Sequence, residues 1–211
     1  LDYDNDTDLD LMMVNGVQFP DNADGVGFED DISRFWENDG VGVFTEISAQ
    51  LGITDERSGK GMATFDYDND GDLDVFVVNS KDQPILYRND GGNQNDWLVV
   101  KTVGTGIAIG ARMTLTIADG GPTLLRELRA GNNFLGQNEM TVHFGLGSDT
   151  GALAKLTVQW PNGDIEELTD IERNQTLVLV RGTVPSSVGQ IPPATGGGAC
   201  KFPPSPVRPA R

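Results

Sequence analysis

Two residue types are almost missing from these 211 residues: there is one cysteine, Cys200, and one histidine, His143. A lone cysteine excludes any disulfide within the chain, so stability has to come from packing, metal or assembly. Cys200 is left to stay free or to pair between chains. It sits among prolines and glycines with no scaffold to hold it, which argues against a Cys–His nucleophile pair with His143. No apolar run reaches the roughly 18 residues needed to cross a bilayer. No signal peptide is visible, and the chain opens at Leu1 rather than Met, as after removal of an upstream signal. No long amphipathic helical period occurs. Residues 182–211 contain no acid at all.

Acid is abundant elsewhere and unevenly placed. The net charge is -17, and residues 1–98 hold 23 acids against 5 bases. The middle is nearly neutral, and the tail carries only Lys201, Arg208 and Arg211. An acidic head repels nucleic-acid phosphates and attracts cations.

Repetition is the strongest signal. Residues 2–15 read DYDNDTDLDLMMVN and residues 66–79 read DYDNDGDLDVFVVN, with ten of fourteen positions identical at an offset of 64. Each acidic loop runs into an apolar, β-prone stretch, Leu11 to Val14 and Val75 to Val78, and both are expected to be buried strands. Gly61 to Phe65 reads as a further strand ahead of the second loop. Asn38-Asp39-Gly40 signals a turn, and Phe44 to Leu51 fits either a short helix or a strand and turn.

Carboxylates ~4 Å apart repel by ~4 kcal/mol at an effective dielectric near 20. Five on one tight turn therefore call for a cation, and calcium, with six to eight oxygen ligands and loose geometry, fits better than magnesium. The expected ligands are the side chains of Asp66, Asp68, Asp70 and Asp74 with the backbone carbonyl of Asp72. In the first loop they are Asp2, Asp4, Asp6 and Asp10 with the carbonyl of Asp8. Gly71 suits the sharp turn, whereas Thr7 in its place predicts a strained or weaker first loop. An EF-hand requires Glu at the twelfth loop position, where Met13 and Val77 stand, so that reading fails. Asp21, Asp24, Asp30 and Asp31 are expected to form a solvated loop.

From Trp97 the pattern changes. Apolar runs recur at Trp97–Val103, Ala111–Ile117, Leu124–Leu128, Met140–Phe144, Leu153–Trp160 and Thr176–Val180, separated by turn signals such as Pro161-Asn162-Gly163-Asp164. This pattern predicts an antiparallel sandwich. From Gly182 onward, seven prolines and five glycines in 30 residues predict an extended tail. Trp36, Trp97 and Trp160 are expected in the core rather than stacked on sugars, and His143 is expected to be structural. Asn5-Asp6-Thr7 and Asn174-Gln175-Thr176 fit the glycosylation sequon without a convincing setting. Ser186, Ser187, Thr195 and Ser205 lie in a composition compatible with O-glycans.

The acidic loops resemble the FG-GAP or VCBS-type calcium blade repeat, D-x-D-x-D-G-x-x-D followed by a strand. Residues 66–74 match it fully and residues 2–10 match except at Thr7. Phe44-Thr45-Glu46 and Leu86-Tyr87-Arg88-Asn89 are similar to the framework of that repeat. Asn95 to Leu179 is similar to the ASPIC/UnbV domain. The motifs are Asn95-Asp96-Trp97-Leu98-Val99-Val100-Lys101, Ala108-Ile109-Gly110-Ala111-Arg112, His143-Phe144-Gly145-Leu146-Gly147, Trp160-Pro161-Asn162-Gly163 and Asn174-Gln175-Thr176-Leu177. Together these resemble the cartilage acidic protein-like family. The resemblance implies a secreted or surface, β-rich, non-catalytic protein of adhesion or matrix. A propeller needs at least four blades, and two loops imply an incomplete one.

The expected fold is all-β: calcium-loop blade repeats over residues 1–94, an antiparallel sandwich-like domain over 95–181, and an extended tail over 182–211. The expected function is a non-enzymatic, calcium-stabilised extracellular structural or adhesive subunit. Self-assembly head to tail into a filament is expected on two grounds. A basic tail faces an acidic head, and the first loop is preceded only by Leu1 where the second has a strand, leaving an edge for a neighbour's tail to cover. Folding back of the tail onto its own chain is the competing arrangement. A carbohydrate- or protein-binding module of a larger secreted protein is the first alternative, with a glycan as partner. A glycan-active enzyme is the second, opposed by the commitment of most acids to the loops.

Overall fold

The computed structural model describes residues 1–15, 32–103, 108–134, 136–148 and 151–180, and the backbone at 186–188 and 200–201. Among the described residues every regular element is a strand except one short 3-10 turn.

The first repeat is an antiparallel sheet of β1 (Leu11–Met13), β2 (Arg34–Asn38) and β3 (Phe44–Glu46). The expected turn after Asn38 is made by Asp39, whose Oδ1 accepts from the backbone N–H groups of Val41 and Val43, both at 3.0 Å. The Phe44 to Leu51 stretch resolves as strand and turn: β3 ends at Glu46, and Leu51 N–H then donates to Ile47 O at 3.1 Å.

The second repeat pairs β4 (Gly59–Phe65), β5 (Asp74–Asn79) and β6 (Ile85–Arg88). Both repeats bury one shared core, in which Tyr3, Phe35, Ile47, Leu51 and Ile53 meet Val75, Val77 and Tyr87. The Tyr3 and Phe35 rings meet edge to face at 5.0 Å. One expectation fails here. Leu11 and Met13 of β1 are 53% and 40% exposed, whereas their counterparts Val75 and Val77 are fully buried. The second repeat has the first to pack against on that face, while among the described residues nothing covers it in the first.

A short 3-10 turn, Gly92–Gln94, leads into the sandwich. One sheet holds β7 (Asp96–Val103), β10 (Thr141–Gly147), β13 (Gln175–Val180) and β14 (Ser186–Val188); the other holds β8 (Arg112–Ile117), β9 (Thr123–Glu127), β11 (Leu153–Gln159) and β12 (Ile165–Leu168). Period-two alternation turns Met113, Leu115 and Ile117 of β8, and Leu156 and Val158 of β11, onto Leu98, Val100, Phe144, Leu146, Leu177 and Leu179 of the facing sheet. All six expected runs form strands. β12 was not anticipated, because Ile165-Glu166-Glu167-Leu168 is too polar to stand out; it pairs with β11 at the sheet edge. β13 runs parallel to β7, a departure from a wholly antiparallel domain. Turn signals reveal hairpins but not which distant strand a segment joins.

Two pieces of the tail pair within the chain. β14 lies antiparallel to β13, and β15 (Cys200–Lys201) lies parallel to β6. At these points the backbone follows the folded-back arrangement. The Cys200 side chain, Thr195 and Ser205, and the cluster Asp21, Asp24, Asp30 and Asp31 lie outside the described residues.

Candidate metal centres

Each acidic loop turns on two residues with positive φ. They are Asn5 (56°) and Thr7 (91°) in the first loop, and Asn69 (59°) and Gly71 (97°) in the second. The backbone N–H groups so exposed are taken by the loop's own carboxylates. Asp2 Oδ1 accepts from Asp6 N–H at 3.1 Å, and Asp66 Oδ1 accepts from Asp70 N–H at 3.1 Å. The last aspartate of each loop is gripped at both oxygens. Asp10 accepts from Tyr3 N–H (3.1 Å) and Asn38 N–H (3.0 Å), and Asp74 from Tyr67 N–H (2.6 Å) and Asn89 N–H (2.8 Å). The same network is thus built twice.

The result is two sets of carboxylates, Asp2 with Asp4 and Asp10, and Asp66 with Asp68 and Asp74, each offering oxygens within 4.8 Å of one another. The first set is buried throughout and the second largely so. Asp2 Oδ2 and Asp68 Oδ1 are buried and accept no hydrogen bond. An oxygen-rich, acidic, buried set with such atoms fits a hard divalent cation. Asp6 and Asp70, expected in the same shell, also brace the turns: Asp6 Oδ1 accepts from Asp8 N–H (3.1 Å) and Asp70 Oδ1 from Asp72 N–H (3.2 Å). Asp70 Oδ2 also accepts from the Asn93 side chain at 2.8 Å. Asp8 and Asp72 were expected to contribute through their backbone. The Asp72 carboxyl is itself fully buried, with Asn93 N–H at 3.3 Å from Oδ2.

Buried carboxyls packed this closely favour their protonated forms. Burial, reinforced by Asp6, Asp10 and Asp4, holds the Asp2 carboxyl well above the usual range, and Arg126 at 3.8 Å is too distant to reverse this. Burial likewise raises Asp10 and Asp66 to about 6, Asp74 to about 7 and, with Asp70 adding to it, Asp72 to about 9. A cation would substitute for those protons.

Both loops lie against the sandwich. A Cβ on Gly71 would overlap the Trp97 indole, so glycine there meets two demands, the positive φ and the close approach. Burial pushes the His143 imidazole down to about 4, so it is neutral, and Nε2 lies 3.1 Å from Gly71 O. The structural reading of His143 follows from this contact. Trp97 and Trp160 are buried at 4% exposure and cannot stack on a sugar. Asn5 is fully buried with its side-chain amide engaged by Gly71 O, which excludes its sequon from modification in the folded chain.

Comparison with known proteins agrees with this geometry. The FG-GAP-like repeat model matches residues 2–77, and the ASPIC and UnbV model matches residues 104–186. The chain thus carries both family signatures, the FG-GAP-like repeat first and the ASPIC and UnbV stretch after it. It is related to cartilage acidic protein 1. Identity to the mouse protein is 27% over 204 residues, covering 90% of this chain and 30% of the relative. Identity to the Xenopus tropicalis protein is 30% over 172 residues, covering 78% and 25%. For the human protein it is 29% over 167 residues, covering 77% and 24%. The chain thus spans 24% to 30% of the length of these curated relatives.

Within the family repeat, sequence reasoning overlooked the asparagines. Asn38-Asp39-Gly40 and Asn89-Asp90-Gly91 are a second repeated block, at an offset of 51, and each Asn N–H caps the last aspartate of its loop. The change of offset hid it, because the connection between β1 and β2 is longer than that between β5 and β6.

Proposed function

We propose that the chain is a non-enzymatic, calcium-stabilised structural or adhesive module of an extracellular protein. The observation that carries this reading is the pair of buried or largely buried carboxylate sets, built twice on the same backbone network and lying against the sandwich. Calcium suits the all-oxygen donor set. At each site the ion binds through Asp2, Asp4 and Asp10, or through Asp66, Asp68 and Asp74; Asp6 and Asp70 complete the shell or brace it, and the carbonyls of Asp8 and Asp72 add further oxygens. The cation is a structural element here, since the acids are committed to the loops and Trp97 and Trp160 to the core. The kinship with cartilage acidic protein 1 supports an extracellular setting.

The decisive experiment is calorimetric melting of the full chain in millimolar calcium and in excess chelator. A large fall in melting temperature on chelation is the expected result, and superimposable curves would refute the metal reading. Head-to-tail assembly through residues 182–211 is the finer part of the proposal, supported by the basic tail and acidic head. The pairing of β14 and β15 within the chain supports the folded-back alternative. Light scattering of the full chain and of a version lacking residues 183–211 separates the two, because assembly that survives the deletion does not use the tail.

A further inference from the structure

Each loop is held by an asparagine from the other repeat. Asn5 lies between Asp4 and Asp6, and its side-chain amide donates to the carbonyls of Gly71 at 3.0 Å and Gly92 at 3.1 Å. Gly71 stands between Asp70 and Asp72 in the second loop. In the opposite direction, Asn89 donates its backbone N–H to Asp74 Oδ1 at 2.8 Å and its side-chain amide to Tyr3 O at 2.5 Å. Tyr3 stands between Asp2 and Asp4. The two metal loops therefore close a reciprocal ring of hydrogen bonds in a buried setting, where such bonds hold geometry firmly.

Strand β10 of the sandwich lies on the same ring. Gly147 N–H donates to Asn5 O at 2.7 Å, and His143 approaches Gly71 O, which already accepts from Asn5. Gly145 has no room for a Cβ, because the Asp2 carboxylate and the Asn5 backbone lie against it. A cation held by Asp66, Asp68 and Asp74 would order the loop that carries Gly71 O, and one held by Asp2, Asp4 and Asp10 would order the loop that carries Tyr3 O. Each carbonyl is the acceptor on which the other loop's asparagine depends, so ordering one loop lowers the cost of ordering the other.

We propose that the two loops fill as one cooperative unit coupled through Asn5 and Asn89, and that their filling seats the sandwich on the repeats. The inference rests on the calcium reading above. The test is a calorimetric titration of calcium into the chelator-stripped full chain, paired with hydrogen exchange at the Gly147 amide. Two ions per chain should enter in one transition with a Hill coefficient above 1, and Gly147 exchange should slow as they do. Asn5→Gly keeps the positive-φ backbone and removes the amide; Asn89→Ala keeps the N–H on Asp74 and removes the bond to Tyr3. Each should bring the Hill coefficient towards 1 and weaken filling by roughly tenfold, within the usual span of coupling between sites. Asp68→Asn cripples the second loop without touching an inter-loop bond, and it should weaken the first loop by a similar factor. Two independent transitions unmoved by these variants would overturn the coupling, and Gly147 exchange indifferent to calcium would overturn the seating. Absence of any calcium uptake would overturn the calcium reading and this inference with it.

Discussion

The two repeats share a loop, a strand and a capping asparagine, yet they live in different surroundings. In the second, Val75, Val77 and Tyr87 press into the shared core, and Gly71 tucks under Trp97. In the first, the matching Leu11 and Met13 face outward, and Thr7 holds a φ of 91° that suits glycine. Near-identical sequence therefore does not confer equal burial. The neighbour each repeat packs against decides which of its apolar residues contribute to stability.

Metal removal tests what the repeats have in common, and its effect should be the largest. With calcium a thousandfold above its dissociation constant, each site contributes ~4 kcal/mol, so chelation should lower the calorimetric melting temperature steeply. Asp70→Ala, which also loses the Asn93 bond, should cost more than Asp6→Ala. Asp66, Asp10, Asp74 and Asp72 have folded-state pKa values of about 6, 6, 7 and 9 without metal, above the ordinary carboxylate value near 3.9. The metal-free folded chain thus binds more protons than the unfolded one between about pH 4 and 9, and its stability falls as pH rises through that window. Calcium needs Asp10, Asp66 and Asp74 ionised, so the gap between loaded and chelated melting temperatures should widen from pH 5 to pH 8. A constant gap would mean that these carboxyls do not hold the ion.

Next in size is Gly71→Ala. A methyl group driven into the Trp97 indole at positive φ should cost about 3 kcal/mol by chemical denaturation, and a loss under 1 kcal/mol would show that the seam is loose. Val77→Ala against Met13→Ala sharpens the contrast in burial. The first should cost about 2 kcal/mol and the second less than about 0.5, with equal losses overturning the exposure of β1. Smallest is Thr7→Gly, which should stabilise the chain by up to about 1 kcal/mol through relief of the backbone. Destabilisation would indicate that the Thr7 side chain makes a compensating contact.

Much of this was legible in the sequence, for identifiable reasons. The aspartates at alternate positions declared the loops, and period-two runs such as Met113, Leu115 and Ile117 declared the sandwich strands. What escaped depends on partners distant in the chain. Leu11 and Val75 look alike, and only packing tells them apart. The parallel course of β13 beside β7 leaves no local mark. Glu166 and Glu167 disguise β12 as a loop. Asn5 and Asn89 resemble ordinary turn asparagines, and their bonds, spanning 66 and 86 residues, show only in three dimensions. The loop aspartates cluster in sequence, but the groups that join one loop to the other do not.

The stretch between the two family matches, residues 78–103, has a bearing on how such proteins can be rearranged. Asn89, Asn93 and Asn95 all fall in it, and their side chains are bonded to Tyr3 O, Asp70 and Asp4 O. A genetic exchange that cut at residue 94 and grafted a foreign module behind the repeats would discard Asn95 and Trp97, and with them part of the setting of both loops. The repeats and the sandwich look separable as text, but residues 78–103 tie them together through buried and half-buried contacts. Any recombinant that moves one of them has to carry this stretch along.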